Sequence, residues 1–278
     1  MKSSINISYD IDLHMHTSYS DGSDSVVELL DKILASNIKV FSITDHDSIL
    51  GSNEMHSLLQ HRQKDAIMPS FIPGVELSCV TPKGKCHILG YDYDRNNKEL
   101  MSLIAKVKDI RKSNLDKRLK FLKDVHSITF SDEEINWLKS LNNAGKPHLA
   151  KLIIKQKRAD SISEAITKYL LACDSVSAKI QAKEGIDAIL NAGGIPIWAH
   201  PLGGEGEKRT SMENFNDLFH LLKEYGIKGL ECYYSRYTLE EISFLKKTSA
   251  ANGLLSTGGS DYHGINKDIS LGTLCFDK

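Results

Sequence analysis

Ile11-Asp-Leu-His14, Ser25-Val-Val-Glu-Leu-Leu-Asp-Lys-Ile-Leu-Ala-Ser36 and Lys39-Val-Phe-Ser-Ile-Thr44 follow one another near the start of the chain. They read as strand, helix and strand. The outer two are short apolar or β-branched runs, while the middle one sets Val26, Leu29, Leu30, Ile33 and Leu34 on one helical face. The alternation continues, with strands predicted at Phe71–Leu77, His87–Tyr91, Ile195–Ala199, Gly229–Tyr233 and Leu254–Thr257. Helices are predicted at about Leu50–Gln63 and at Lys183–Asn191, Met212–Tyr225 and Leu239–Ala251. Gly193, Gly226 and Gly253 sit just past helices as stop signals. Strands alternating with helices imply an α/β chain with a parallel sheet, and seven strands suggest a closed (β/α) barrel rather than an open doubly wound sheet. Periodicity alone does not decide closure.

From about Asp94 to Ser177 the alternation stops and the pattern is helical: Lys98–Val125, Asp132–Leu141, His148–Lys157 and Ser161–Leu171. The reading is a discontinuous barrel domain, residues 1–96 and 179–278, carrying a helical insertion, residues 97–178, that covers the active site. Between Met101 and Arg158 there are fourteen Lys/Arg against six Asp/Glu, whereas the rest of the chain has twenty-one against thirty. A basic segment is thus set into an acidic body, either as a solvated helical surface or facing an anionic substrate.

The 278 residues suffice for one large barrel, and a 41% hydrophobic, 26% charged composition is that of a globular protein. No apolar run approaches the roughly 20 residues that span a bilayer. The N-terminus carries no export pattern, so a cytoplasmic location is expected. The five cysteines, Cys79, Cys86, Cys173, Cys232 and Cys275, form no CxxC pair. That argues against a disulfide framework and against a thiolate zinc finger.

The chemistry lies at the strand ends. His14 and His16 form an HxH pair whose imidazoles point the same way, because strand side chains alternate between faces. Asp45 and His46 end the second strand, Glu76 ends the third, His87 lies on the fourth and His200 ends the fifth; Asp261 and His263 follow the seventh. A parallel barrel gathers such ends on one face. A lone histidine at a strand end is usually structural, but six strand ends agreeing in ligand type point to a metal site. His56, His61, His126 and His220 fall in or near helical patterns and read as ordinary residues. Imidazole and carboxylate without thiolate suit Mn²⁺, Fe²⁺ or Zn²⁺. With Asp21 the candidates number nine, enough for two or three ions if Glu76 bridges. Metals about 3.5–4 Å apart activate water and stabilise both oxygens of a displacement at phosphorus. No G-x-S-x-G elbow, Walker lysine loop or G-x-G-x-x-G offers a rival chemistry. Gly203-Gly-Glu-Gly206 reads as an active-site loop.

Asp12-Leu-His-Met-His16 with Ser20-Asp-Gly22, Ile43-Thr-Asp-His-Asp47, Ile72-Pro-Gly-Val-Glu76, Ile197-Trp-Ala-His-Pro201 and Thr257-Gly-Gly-Ser-Asp-Tyr-His-Gly264 together resemble the polymerase-and-histidinol-phosphatase (PHP) family of metal-dependent phosphoesterases. The resemblance spans the chain in the family's order. It implies a distorted seven-stranded (β/α) barrel with a trinuclear centre of divalent cations, Mn²⁺ first and Fe²⁺ or Zn²⁺ as alternatives. One metal would take His14, His16, Glu76 and Asp261; a second would share Glu76 and add His87 and His200; a third would use Asp21, His46 and His263. Glu76, His200, Asp261 and His263 are the implied catalytic set. Asp21 stands where several relatives have histidine.

Gly145-Lys-Pro-His-Leu-Ala150, Ala192-Gly-Gly194 and Ala199-His-Pro201 resemble the branch that removes the 3′-phosphate of nucleoside 3′,5′-bisphosphates or trims short RNA from its 5′ end. Lys146 stands where that branch usually has arginine, and a point charge in place of a bidentate fork shifts substrate preference. Lys146, His148 and Arg236 are the candidates for substrate contact. The partner is then a nucleotide or short oligonucleotide, not long duplex nucleic acid and not a membrane. Hydrolysis of a cyclic phosphate diester is the runner-up, ahead of histidinol phosphatase. A degenerate metal-binding module and a metal-dependent amidohydrolase are the readings from other classes.

Overall fold

The computed structural model describes residues 10–61, 68–175, 178–204 and 209–272. The expected end of the second helix at Arg62 and Gln63, half of the Gly203–Gly206 loop and Cys275 lie outside these residues.

Among the described residues the strands form two sheets. β1 (Ile11–Asp12), β2 (Val40–Phe41) and β3 (Ser70–Phe71) pair in parallel, in that order. β4 (Gly74–Thr81), β5 (Gly84–Tyr91), β6 (Ile180–Gln181), β7 (Ile195–Trp198), β8 (Gly229–Tyr234) and β9 (Leu255–Gly259) form the second, in the order β6-β4-β5-β7-β8-β9. Backbone hydrogen bonds join the two sheets at both sides. Leu13 N–H donates to the Gly258 carbonyl at 3.1 Å, and on the other side Asp47 N–H donates to the Glu76 carbonyl at 2.7 Å.

The arrangement departs from an all-parallel reading. β5 runs antiparallel to both β4 and β7. Only Pro82 and Lys83 separate β4 from β5, and two residues can return a strand antiparallel but cannot cross over to make a parallel pair. The expected strand Phe71–Leu77 is broken at Ile72-Pro73, where proline lacks a ladder N–H. β6 was not anticipated, since two residues carry no readable alternation.

Helices α1 (Val26–Leu34), α2 (Leu50–His61), α3 (Lys98–His126), α4 (Asp132–Ser140), α5 (Lys146–Lys155), α6 (Ile162–Ala165), α7 (Ala182–Asn191), α8 (Met212–Tyr225) and α9 (Leu239–Ala251) follow the sequence patterns, except that the pattern Ser161–Leu171 is α-helical only over α6 and continues as a π-helix over Ile166–Leu170. α1 starts in a capping box between Ser25 and Glu28 and buries Val26, Leu29, Leu30 and Ile33. α8 ends at Gly226, whose φ of 102° lets its N–H reach the carbonyls of Leu222 and Lys223. No helix among the described residues is long and apolar enough to cross a membrane.

Two cores share one helix. Leu100, Leu103 and Val107 of α3 join the core between the larger sheet and α7, α8 and α9. Leu115 and Leu122, further along α3, join a second core with Leu138, Leu149, Ile153 and Leu170. At the junction Arg111 Nε donates to Asp47 Oδ2 at 2.7 Å and Nη2 to Ser78 Oγ at 3.3 Å. The helical segment is thereby tied to the loop that carries His46.

Candidate metal centre

Glu76 is the hub. Its Oε2 lies 3.0 Å from His46 Nδ1, 3.2 Å from His14 Nε2 and 3.3 Å from His16 Nε2. Its Oε1 lies 2.9 Å from His87 Nδ1 and 3.1 Å from His200 Nε2. Asp261 Oδ1 stands 3.3 Å from His16 Nε2 and 3.6 Å from His14 Nε2. Asp21 reaches the far side, with Oδ1 3.2 Å from His263 Nε2 and Oδ2 3.9 Å from His46 Nε2. All nine ligand-type candidates therefore meet in one cluster. His126, by contrast, packs on Phe121 and Tyr169.

The backbone is shaped to allow this. A Cβ on Gly259 would come within 2.3–2.4 Å of His14 Cβ and N, so only glycine lets β9 lie against the HxH segment. His200 and Asp261 have φ of 28° and 60°, uncommon for residues with a side chain and frequent at functional sites. Both are held by hydrogen bonds: His200 N–H donates to Glu231 Oε2 at 2.7 Å, and Asp261 N–H to the His14 carbonyl at 2.8 Å.

Six atoms in the cluster are buried without a hydrogen-bond partner: His14 Nε2, His16 Nε2, Asp21 Oδ1, His46 Nδ1, Glu76 Oε2 and His263 Nε2. Leaving such atoms unsatisfied costs about 1–3 kcal/mol each. Together with His87 their residues fall into three overlapping groups of metal-ligating geometry: His16, Asp21, His46 and His263; His14, His16 and Glu76; His46, Glu76 and His87. Imidazole nitrogens and carboxylate oxygens fit divalent cations of the Mn²⁺, Fe²⁺ and Zn²⁺ type. Cys79, Cys86, Cys173 and Cys232 are free thiols, and none belongs to these groups.

On the chain's own charges the carboxylates stay ionised. Burial pushes the Glu76 carboxyl up, but His46, His14 and His87 together hold it well below the usual range. Burial likewise opposes Asp261, which Lys267 and His263 hold down, and Asp21, which His263 and His46 hold down. Burial lowers the His263 imidazole to about 4, aided by the charges of His16 and Lys267. For His16 burial is outweighed by the neighbouring Asp261 and Glu76 carboxylates, which raise it to about 9.

Three supporting residues escaped the sequence reading. Glu231, fully buried, lies with Oε1 2.9 Å from His14 Nδ1. Lys267 Nζ and Tyr234 Oη donate to Asp261 Oδ2 at 2.7 and 2.8 Å, leaving Oδ1 toward the histidines. The one available signal was an acidic residue inside the apolar run Gly229-Leu-Glu-Cys-Tyr-Tyr234. Asp45, next to His46, faces away: it accepts from Thr17 N–H and Oγ1 and from Ser20 Oγ, each at 2.7 Å.

The substrate candidates are placed unequally. His148 is buried; its Nδ1 accepts from Gly145 N–H at 3.1 Å. Burial lowers its pKa and the charge of Asp21 opposes the shift, so the ring lies within electrostatic reach of the cluster. Lys146 is half-buried at the first turn of α5. Arg236 is exposed, and its Nη2 donates to the Asp268 carbonyl at 2.6 Å.

The PHP domain family model matches residues 12–182. A phosphoribosyl 1,2-cyclic phosphate 1,2-diphosphodiesterase of Eggerthella lenta is 23% identical, over 91% of this chain and 94% of the relative. A 5′-3′ exoribonuclease of Haemophilus influenzae is 26% identical, over 91% and 89%. A 3′,5′-nucleoside bisphosphate phosphatase of Chromobacterium violaceum is 25% identical, over 91% and 87%. Among solved structures, one assigned to the metal-dependent phosphoesterases of Bifidobacterium adolescentis superposes with a TM-score of 0.81 at 23% identity, over 97% of this chain and 93% of the other. That likeness carries the fold and nothing finer.

Proposed function

The chain belongs to the PHP domain family, and on that premise we propose that it is a phosphoesterase of small phosphorylated nucleotides. It is a metal-dependent hydrolase. The observation that carries the reading is the convergence of the six buried, unpartnered ligand-type atoms around Glu76 and Asp21.

In the proposed partition one cation would be held by His14, His16, Glu76 and Asp261, a second by Glu76, His87 and His200, and a third by Asp21, His46 and His263. Such ions, when bound, activate water and neutralise charge on the phosphoryl and leaving oxygens. The chain's own share is to hold ionised carboxylates and correctly oriented imidazoles in a buried pocket, with Glu76 at its hub. Glu76, His200, Asp261 and His263 form the proposed catalytic set, and Lys146, His148 and Arg236 the proposed substrate contacts. Mn²⁺ is the proposed native ion, and the cytoplasm the proposed location. The edge contacts between the two sheets support a distorted seven-stranded barrel, and the separate core around Leu138 and Leu149 supports residues 97–178 as a helical insertion.

The names of the Chromobacterium and Haemophilus relatives support the 3′-phosphate of nucleoside 3′,5′-bisphosphates, or short RNA 5′ ends, as substrate. A second reading, hydrolysis of a cyclic phosphate diester, is favoured by the Eggerthella relative. The test is phosphate release by Mn²⁺-loaded protein from nucleoside 3′,5′-bisphosphates, cyclic phosphates and sugar phosphates. Release from the bisphosphate is expected to be fastest. A metal-loaded protein with no turnover of any phosphoester would instead indicate a binding module.

A further inference from the structure

Beside the metal centre, where α3 crosses β4 and β6, lies a cavity of about 60 Å³. Among the described residues Arg111, Arg118 and Lys179 line it against one carboxylate, Asp47, with Ser78 and Asn114 completing the polar wall. We propose that this cavity is an anion subsite, taking a second phosphate group of a substrate whose reacting ester lies at the metal centre. The proposal rests on the phosphoesterase reading of that centre.

Position comes first. Ser78 follows Glu76 by two residues on β4 and stands opposite His87 on β5. Both therefore share the face of the strand that bears the metal cluster, and Ser78 lies roughly 7 Å further along it than Glu76. Asp47 is the next residue but one after Asp45 and directly follows His46. A group in the cavity is thus one small molecule's reach from the cluster.

The wall is built, not incidental. Asn114 clamps the backbone before Lys179, with Nδ2 donating to the Ala178 carbonyl at 2.7 Å and Oδ1 accepting from Ala178 N–H at 2.8 Å. Asp47 is already engaged by Ser78 N–H at 2.8 Å and by Arg111 Nε at 2.7 Å. Arg118 is seven residues from Arg111, on the same face of α3. The Lys179 ammonium makes no hydrogen bond or ion pair with any described residue. Burial pushes its pKa down, while the Asp47 charge opposes the shift. A desolvated ammonium is stabilised by an anion placed beside it.

Chemistry selects the anion. The cavity is about four times the roughly 15 Å³ that one water needs, which admits a tetrahedral oxyanion. The cationic lining among the described residues, with the Lys179 ammonium at its centre and Asp47 already occupied by Arg111, favours a dianion over a carboxylate, and arginine forks match phosphate oxygens. The cations come from two separate segments, α3 and the approach to β6, so the bound group would also fix the helical segment against the sheet.

The experiment compares Lys179→Met and Lys179→Arg with the parent protein, each loaded with Mn²⁺. On adenosine 3′,5′-bisphosphate, Lys179→Met is expected to lose kcat/KM by about tenfold or more relative to its loss on 3′-AMP, mainly through KM, and Lys179→Arg to restore most of it. Calorimetry with inorganic phosphate is expected to show two ions bound per parent chain and one per Lys179→Met chain. Equal losses on the two nucleotides, or two phosphates still bound by Lys179→Met, would overturn the subsite. So would a single phosphate bound by the parent. Absence of turnover by the parent on every ester would instead strike the phosphoesterase reading, while the phosphate count would still decide the subsite.

Discussion

Glu231 and His14, 217 positions apart in sequence, meet in a fully buried contact of 2.9 Å between Oε1 and Nδ1. This fixes the His14 ring, because a carboxylate at Nδ1 keeps the proton there and leaves Nε2 free to face Glu76 and Asp261. The other Glu231 oxygen holds the strained backbone of His200. One carboxylate thus orients two ligand-type residues.

Glu231→Gln should therefore weaken metal binding by about 10- to 100-fold, the usual effect of losing an outer partner of a histidine ligand. Metal titration of the chelator-stripped protein measures this, with circular dichroism confirming the fold. Unchanged affinity would show that His14 needs no such partner.

Glu76 and His263 should differ in a specific way. Five imidazoles face the two oxygens of Glu76, whereas His263 Nε2 faces Asp21 at the periphery. Glu76→Gln is expected to lose more bound metal and more activity than His263→Gln. Elemental analysis of both proteins decides it, and equal metal content in both and in the parent would remove the bridging assignment.

The contrast between those residues and Glu231 also shows what the sequence could reveal. His14-Met-His16 was legible because alternation of a strand puts both rings on one side, and the remaining donors except Asp21, which lies in a turn, fell on or at the ends of readable strands. Glu231 lies in a strand buried along its whole length, where no alternation marks an inward residue. The antiparallel β4–β5 pair was missed because the patterns were read as ending at Leu77 and resuming at His87. Residues 78–81 and 84–86 in fact extend both strands toward the turn. Arg111 and Lys179 carry no local signature, since their meeting depends on where a long helix lands.

Asp24 supplies a pH-dependent tie on the loop that bears the site. Its Oδ2 accepts from Lys32 Nζ at 2.7 Å and from Tyr262 Oη at 2.8 Å, next to Asp261. Burial raises its carboxyl, but the Lys32 and Tyr262 hydrogen bonds outweigh that and leave the pKa lowered. A carboxyl lowered in the folded state stabilises fully above its unfolded value near 4, and the contribution vanishes as pH falls through the folded value. Asp24→Asn should cost about 1–2 kcal/mol at pH 7. Urea unfolding should find that difference shrinking below about pH 4, and a gap that stayed constant to pH 3 would refute the linkage.

The substrate candidates can be ranked by where the structure puts them. His148 is buried on the first turn of α5 and feels the charge of Asp21, whereas the Arg236 guanidinium is exposed and engaged by the Asp268 carbonyl. A group that must leave a backbone acceptor to reach substrate gains less from doing so than one already within electrostatic reach of the cluster. Replacing a charge-assisted contact to phosphate costs about 1.5–3 kcal/mol, or about ten- to a hundredfold in kcat/KM. His148→Ala is therefore expected to fall in that range on a nucleoside 3′,5′-bisphosphate, and Lys146→Ala, half-buried beside it, to show a smaller loss. Arg236→Ala should stay within about threefold of the parent. Steady-state kinetics at constant metal content measure all three, and a loss at Arg236 exceeding that at His148 would show that the βα loop after β8, not the start of α5, grips the substrate.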